Sequence, residues 1–447
     1  MRKIALVLLL AAVPALARTR VVLLQFSDYH SHALPFYSEG KADQGGIARA
    51  IGYLERERRH GALVFSGGDM VNKGAPAWSD KYRCTEWPWF NGIVDAMALG
   101  NHDPDYGADV LAACREQLDY PILSANTLGY TASAIFDVKG LRIGVFALAG
   151  SDFPTLVRTP GFKFGDRLAA ARETVHDLRN REHVDAVVLI GHESTEDDEA
   201  LARSVPGIDL IFGSHSHRKA ALHRIEGTGT WSLSPSQYLT YISRVEMTFD
   251  GHRLRDVTGE LVRVDASLPV DKAVAERIAS MEKDLENDPS YAPLFVTVTT
   301  LRVPMSVAEL GARVVELMRA VSHADVALST ASSFRQPLPP GRLTVEELRA
   351  SLPYDNQIVV ATMRGDQVKR LMALSASRKG TDNEAFIAAP DVLEDGREYR
   401  VATTDYLARV AAGYRELFPK AEPTGMHVRE EFRKSLSAGA TGGHMKR

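Results

Sequence analysis

Short apolar runs recur through the first half of the chain, and each run closes on a polar loop. The runs are Val21–Phe26, Ala62–Phe65, Ile93–Leu99, Leu141–Ala147, Ala186–Ile190 and Ile208–Phe212. Several are almost continuous in Val, Ile and Leu, which is typical of strands buried on both faces. Helix-like stretches such as Gly46–Arg59 and Arg167–Arg181 lie between them. This alternation predicts α/β layers with a functional site where the strands end.

The segment from 220 to 262 has a different pattern. Trp231–Leu233 and Tyr241–Phe249 alternate between apolar and polar residues, as antiparallel strands do, and Asp250-Gly251 is a hairpin turn signal. We interpret these residues as strands that complete the sheets of the first domain.

The length of 447 residues is too large for one core and indicates two domains. A charged helix from Asp265 to about Asn287 is the best candidate for a connector. A second α/β unit follows, in which Thr344 and Glu347 form a capping box. The tail is rich in Gly, Ser and Ala and is expected to be disordered. The predicted segments are a catalytic domain over 18–264, a helical connector over 265–300, a smaller domain over 301–433 and a disordered tail over 434–447.

The N-terminus has the pattern of a secretory signal. A charged start, a short apolar stretch and Ala15-Leu16-Ala17 predict a signal peptide over residues 1–17, cut after Ala17. The residue directly after that cut is Arg18 and not a cysteine, so we expect no lipid anchor. The mature protein is therefore predicted to be periplasmic or secreted. Cys84 and Cys114 pair there or remain two free thiols, and their spacing does not decide between these alternatives.

Seven Asp, Asn and His side chains follow the apolar runs directly. In a mostly parallel sheet the carboxyl ends of the strands meet at one edge, so these side chains are expected to converge. Seven oxygen and nitrogen ligands suit two divalent cations that share one bridging carboxylate. The candidate metal ligands are Asp28, His30, Asp69, Asn101, His192, His215 and His217.

The net charge of −4 provides no basic surface for nucleic acid, so an anionic substrate must be held by local metals and arginines. The stretch Gly100–Asp105 brings together an amide, an imidazole and carboxylates at a strand end. Asn101 can ligate a cation, while His102 can handle a proton or an anionic oxygen. This pairing suits metal-assisted hydrolysis of phosphate esters.

The order of these blocks resembles the calcineurin-like metallophosphoesterases, and more narrowly the secreted 5′-nucleotidase/UDP-sugar hydrolase family. The matching blocks are Asp28-x-His30, Gly68-Asp69, Gly100-Asn101-His102-Asp103, Gly191-His192, Gly213-Ser214-His215-Ser216-His217 and Gln44-Gly45-Gly46-Ile47-Ala48-Arg49. The resemblance implies a layered α/β/β/α metallophosphoesterase domain followed by a smaller α/β 5′-nucleotidase C-terminal domain.

The resemblance also implies roles for the site residues. One metal would be held by Asp28, His30, Asp69 and His217. The other would be held by Asp69, Asn101, His192 and His215, so that Asp69 bridges. His102 would contact the transferred phosphoryl group, and Asp105 would orient His102. The nucleophile would be a metal-bound hydroxide, with manganese, zinc, iron or cobalt as the ions.

Substrate binding is implied for three residues of the second domain. Arg335 would grip a phosphate or a carboxylate, although a surface salt bridge is the alternative. Tyr354 and Tyr406 match two aromatic positions that sandwich a nucleobase in the family, although both could instead be core residues. The expected substrate is a nucleotide or another small phosphate ester.

Two rival functions are compatible with the sequence. The related thiosulfohydrolases of sulfur oxidation use a similar dimetal core. A non-catalytic surface binding protein could also be built on the same scaffold. Loss of metal ligands would indicate the latter, and none of the seven is lost.

Overall fold

A computed structural model describes residues 18–381 and 383–441; the predicted signal peptide lies outside them. The strands are β1 Thr19–Phe26, β2 Phe36–Ser38, β3 Lys41–Gln44, β4 Leu63–Ser66, β5 Ala96–Ala98, β6 Ile122–Leu123, β7 Ser133–Val138, β8 Leu141–Phe146, β9 Ala186–Leu189, β10 Leu210–Phe212, β11 Lys219–Arg224, β12 Trp231–Pro235, β13 Tyr241–Asp250, β14 Arg253–Arg263, β15 Thr297–Leu301, β16 Val326–Thr330, β17 Gly341–Thr344, β18 Gln357–Arg364, β19 Ala385–Ala388, β20 Glu398–Thr404 and β21 Glu422–His427.

The α-helices lie between and after these strands. They are α1 Ile47–Arg59, α2 Ala77–Tyr82, α3 Ala108–Arg115, α4 Phe153–Leu156, α5 Arg167–His176, α6 Thr195–Ser204, α7 Lys272–Asn287, α8 Val307–Val321, α9 Val345–Ser351, α10 Gly365–Ser377, α11 Asp405–Arg409 and α12 Val428–Thr441. Short 3₁₀ turns cover Trp87–Phe90, Ala292–Phe295 and Ala331–Ser333, and a π turn at Asp177–Arg181 extends α5.

Two mixed sheets pack face to face in the first half of the chain. Their strand orders are β14-β13-β1-β4-β5-β6 and β11-β12-β10-β9-β8-β7. Buried side chains from both sheets, including Leu23, Phe65, Val145 and Phe212, form one core between them. Helices α1 and α7 cover the outer face of the first sheet, and α5 and α6 cover the second. The predicted α/β/β/α layering is confirmed.

The antiparallel strands predicted over 220–262 complete these two sheets. The hairpin β13–β14 turns at Asp250-Gly251 and pairs with β1, while β11 and β12 join the edge of β10. The predicted strand at Ile93–Leu99 is shorter in the structure, because Ile93 and Val94 are buried in a turn before β5 begins at Ala96.

The second α/β unit is built on the sheet β19-β16-β20-β18-β21. Helices α8, α9 and α12 pack on one face of this sheet, and α10 and α11 pack on the other. The capping box predicted at α9 is present. Glu347 N donates to Thr344 Oγ1 at 3.1 Å, and Thr344 N donates to Glu347 Oε2 at 2.7 Å.

Helix α7, in the predicted connector, starts later than expected. A turn at Asp265 and Ser267 precedes Pro269, and the helix begins only after Asp271, whose carboxylate accepts from Val274 N at 2.8 Å. Ile278 and Leu285 pack into the core of the first domain. The boundaries 18–264, 265–300 and 301–433 stay predictions.

The prediction of disorder from Lys434 is wrong through Thr441. Helix α12 continues to that residue because Phe432 is buried in the core of the second unit, with Leu436 packed against it. The remaining residues of the predicted tail lie outside the described part of the chain.

Cys84 and Cys114 form a disulfide, with their Cα atoms 6.0 Å apart. The question left open by the sequence is therefore settled in favour of pairing. Throughout 18–381 and 383–441, no helix combines the length and the apolar character needed to cross a membrane.

A buried carboxyl in the first domain predicts a pH-dependent stability. Glu86 is fully buried and accepts from Tyr29 Oη at 3.0 Å, and burial raises its pKa from 4.5 to about 7. The fold therefore favours the protonated form, and the free energy of unfolding should fall as pH rises from about 4.5 to about 7.

We expect Glu86→Gln to remove this contribution and to raise the free energy of unfolding at pH 8 by about 2–3 kcal/mol relative to the unsubstituted protein. Urea unfolding at pH 4.5 and pH 8, with a chelator present, measures the difference. Glu226→Gln, in an exposed turn, serves as the control. Equal pH dependence in Glu86→Gln and the unsubstituted protein would contradict the prediction.

Candidate metal centre

The predicted ligands lie on loops at the carboxyl ends of β1, β4, β5, β9 and β10. The loops after β1 and β4 are joined by main-chain hydrogen bonds from Asp28 N to Gly68 O at 3.0 Å and from His30 N to Asp69 O at 2.9 Å. Strand order places β4 between β1 and β5, so Asp69 lies between the loops that carry Asp28 and Asn101. The strand ends of both sheets therefore assemble side chains that are far apart in the sequence.

The ligand atoms form two groups. Asp28, His30 and His217 each present one ligand atom within 4.8 Å of the others, and so do Asp69, His192 and His215. The groups adjoin each other, since His30 Nε2 is 3.7 Å from Asp69 Oδ2 and His192 Nε2 is 3.8 Å from Asp28 Oδ1.

Backbone carbonyls orient two of these imidazoles. His30 Nδ1 is 3.2 Å from Val71 O, and His192 Nδ1 is 2.6 Å from Gly67 O. A ring nitrogen facing a carbonyl must carry the hydrogen, so Nε2 is the atom of each ring that would ligate a cation. His30 Nε2 lies 3.2 Å from His217 Nε2 in the first group of ligand atoms.

The backbone at the centre is held in an unusual conformation. Five predicted ligands have positive φ angles between 48° and 54°, namely Asp28, His30, Asp69, His215 and His217. Non-glycine residues rarely adopt this left-handed region, and clusters of such residues are typical of functional sites. Gly100 is required nearby, because a Cβ there would lie 2.2 Å from Asp69 Oδ1.

The donor set fits two divalent cations. Asp28 Oδ1, Asn101 Oδ1 and His192 Nε2 are buried atoms without a hydrogen-bond partner in the described residues. Buried polar atoms are normally satisfied, and atoms that converge without partners are what a cation requires. Asn101 is 6% exposed and lies in the loop after β5, and its assignment to the second ion stays a prediction.

The charges at the centre call for positive compensation. Burial alone would raise the pKa of Asp28, but the His217 imidazole overrides burial and lowers that pKa. Burial likewise acts to raise the pKa of Asp69, but the positive charges of His192, His102 and His30 together override burial and lower that pKa. Two ionised carboxylates this deeply buried are tolerated only when cations lie against them.

His102 and Asp105 lie beside the two groups. His102 Nδ1 is 2.8 Å from Asp105 Oδ2, and His102 N donates to Asp69 Oδ1 at 2.7 Å. The main chain of His102 is thereby hydrogen-bonded to a predicted ligand, and His102 also lines a cavity beside the two groups.

Two acidic residues at the centre were given no role by sequence reasoning, although Asp103 belongs to one of the matching blocks. Asp103 is buried and accepts from Gly100 N at 2.7 Å and Met70 N at 2.8 Å, which binds the loops after β4 and β5 together. Asp152 Oδ2 is 3.0 Å from His215 Nε2. The rule that polar residues follow strands could have found Asp152, which comes after β8, but no motif marks it.

The contact from Asp152 leads to a prediction about metal affinity. It orients the His215 ring through Nε2, so Nδ1 is the atom that would ligate a cation. Carboxylates that orient ligating histidines contribute about 10- to 100-fold to metal affinity. We expect Asp152→Asn to weaken binding of one of two manganese ions by that factor, as measured by competition with a chelating dye.

Asp137→Asn, at an exposed position on β7, is the matched control. Unchanged affinity for both ions in Asp152→Asn would show that Asp152 does not orient His215.

A cavity of about 470 Å³ opens over the centre and is lined by residues of both domains. From the first domain it includes Asp69, Asn101, His102 and His215. The predicted substrate residues all line it: Arg335, Tyr354 and Tyr406. Arg335 Nη1 donates to His217 Nδ1, and Gln237 Nε2 donates to Arg335 O at 3.1 Å. The second domain therefore contacts the predicted metal ligand His217 directly.

Comparisons with known proteins agree with this arrangement. Residues 21–219 match the family described as calcineurin-like phosphoesterase, and residues 296–389 match the 5′-nucleotidase C-terminal domain. Protein UshA of Yersinia enterocolitica is 24% identical, over 92% of this chain and 88% of that protein. A 5′-nucleotidase of Diplobatis ommata is 23% identical, over 82% and 73%.

Two solved structures from Thermus thermophilus share the fold. The 5′-nucleotidase precursor superposes with a TM-score of 0.75 at 21% identity, covering 94% of this chain and 97% of that one. The sulfate thiohydrolase SoxB superposes with a TM-score of 0.74 at 20% identity, covering 94% of each chain. The fold alone therefore does not separate a 5′-nucleotidase from a sulfate thiohydrolase.

Proposed function

Since the chain belongs to the calcineurin-like phosphoesterases and carries the 5′-nucleotidase C-terminal domain, we propose that this metal-dependent phosphoric ester hydrolase acts on nucleotides. One observation supports the proposal above the others. Two adjoining groups of ligand atoms lie beside a cavity that is lined by Asp69, His215 and His217 and also by a guanidinium and two phenol rings.

The seven metal ligands are proposed with the roles stated above. Asp28, His30, Asp69 and His217 would hold one divalent ion, and Asp69, Asn101, His192 and His215 the other. When bound, such a pair of ions supplies Lewis acidity and a hydroxide nucleophile at neutral pH. The identity of the ions is open among manganese, zinc, iron and cobalt.

The protein's own residues would bind and orient the ester. His102 faces the phosphoryl site and is oriented by Asp105, so it can donate to a phosphoryl oxygen as negative charge accumulates. Arg335 reaches the same place from the second domain and can bind a phosphate as a fork. Tyr406 lines the cavity and offers a ring face on which a nucleobase can stack.

Export is part of the proposal. It is supported by the predicted signal over residues 1–17 and by the Cys84–Cys114 disulfide, since disulfides persist mainly in oxidising compartments. No nucleic acid partner and no membrane anchor are proposed.

A substrate panel tests the function. Purified protein is stripped with a chelator, reloaded with manganese and assayed against 5′-AMP, 3′-AMP, UDP-glucose, p-nitrophenyl phosphate and a protein-bound thiosulfonate. We expect manganese-dependent release of phosphate that is fastest with 5′-AMP, and no turnover in the stripped protein. Release of sulfate from the thiosulfonate with no turnover of any ester would refute the proposal.

A further inference from the structure

Tyr354 lies in the loop between α9 and β18, at the wall of the cavity that faces His102 and Asp105. Its ring is partly buried, and the Arg335 guanidinium carbon lies 5.6 Å from the ring centroid. A residue that only supported a nucleobase would need a ring face directed at the open part of the cavity. The position of the hydroxyl group indicates something more.

The hydroxyl group is bound to Arg335. Arg335 Nη2 donates to Tyr354 Oη at 2.6 Å, while Nη1 of the same guanidinium donates to His217. A guanidinium can only donate, so the phenol oxygen is the acceptor and keeps its own hydrogen for a second partner. The same guanidinium therefore contacts both the Tyr354 hydroxyl group and the proposed metal ligand His217. The hydroxyl hydrogen remains available for donation to another group.

The charges around Tyr354 favour this donor role. Burial alone would raise the pKa of Tyr354, but the positive charges of Arg335 and His102 override burial and lower it. Tyr406, in the same cavity, has its pKa raised, chiefly by burial. A more acidic phenol is a stronger hydrogen-bond donor, and it donates best to an anion.

We propose that the Tyr354 hydroxyl group donates a hydrogen bond to a non-bridging phosphoryl oxygen of the bound ester and stabilises charge there in the transition state. Tyr354 would then be a catalytic residue that acts together with His102 and Arg335, rather than only a platform for a nucleobase. This inference rests on the proposed phosphoesterase function.

The test is Tyr354→Phe, which keeps the ring and removes only the hydroxyl group. We expect kcat to fall roughly 10- to 100-fold, with KM changed less than threefold, both with 5′-AMP and with p-nitrophenyl phosphate. The second substrate has no nucleobase, so a loss with both assigns the hydroxyl group to the phosphoryl site. Tyr37→Phe, on β2 and outside the cavity, is the matched control and should leave both constants unchanged.

Two results would overturn the inference. One is kcat of Tyr354→Phe within twofold of the unsubstituted protein. The other is a loss confined to 5′-AMP and expressed in KM, which would mean nucleobase binding. In both cases the unsubstituted enzyme still turns over, so the proposed function stands; an inactive unsubstituted enzyme would instead defeat that function.

A second variant guards against a folding defect in Tyr354→Phe. Replacement of Tyr354 by p-aminophenylalanine restores a donor at the same place, and we expect it to recover most of the lost kcat. A p-aminophenylalanine enzyme that folds with an unchanged thermal midpoint and is as slow as Tyr354→Phe would contradict the donor role.

Discussion

Asp69→Asn is expected to abolish turnover, with kcat reduced by about 10³-fold or more. Asp69 is 1% exposed, and its Oδ2 lies 3.2 Å from His192 Nε2 and 3.7 Å from His30 Nε2, so it faces both ligand groups. An amide has the same shape but no negative charge and only one ligating oxygen. The Asp69→Asn variant should therefore be unable to hold both ions and should bind fewer than two manganese ions per chain.

Elemental analysis of the dialysed variant and steady-state kinetics measure these two effects. The exposed Asp109→Asn on α3 is the matched control and should retain two ions and full activity. Circular dichroism should show an unchanged fold in both variants, because the Asp69 main-chain bonds to its neighbours remain. Two tightly bound ions and ordinary turnover in Asp69→Asn would refute the bridging assignment.

His102→Gln is expected to separate chemistry from metal binding. We expect kcat to fall about 10²- to 10³-fold while two manganese ions remain bound, because the His102 ring is not among the proposed ligands. Its main-chain N–H, which donates to Asp69, is retained in the variant. Asp105→Asn should give a smaller loss, since it disturbs only the orientation of the ring.

Kinetics and elemental analysis on the same samples measure both quantities. His60→Gln, an exposed residue at the end of α1, controls for the loss of an imidazole. Loss of one ion in His102→Gln would make His102 a ligand rather than a phosphoryl contact. Unchanged kcat would remove it from the mechanism.

Much of the local structure was predictable because its causes are local. The start of α9 follows from the capping box of Thr344 and Glu347. The α/β/β/α layering follows from the family resemblance. Two helix ends that depend on packing against distant residues were predicted wrongly. Helix α7 begins later than Asp265, and α12 continues to Thr441 through residues that were expected to be disordered.

The sequence by itself determined the chemistry of the centre. Asp, Asn and His residues directly after short apolar runs lie where strands meet loops. This position is predictable because the length and the end of a strand can be recognised from a few consecutive residues. Their number and type then select two divalent cations and a phosphoester-like substrate.

Only the tertiary structure decided which atoms meet. Strand order brings Asp69 between the loops after β1 and β5, and packing of the two sheets brings the loops after β9 and β10 beside it. Asp152 approaches His215 from a loop without any motif. The contact of Tyr354 with Arg335 joins residues of the second domain at the metal centre. Such distances are set by long-range packing of sheets and domains, which no local pattern of residues encodes.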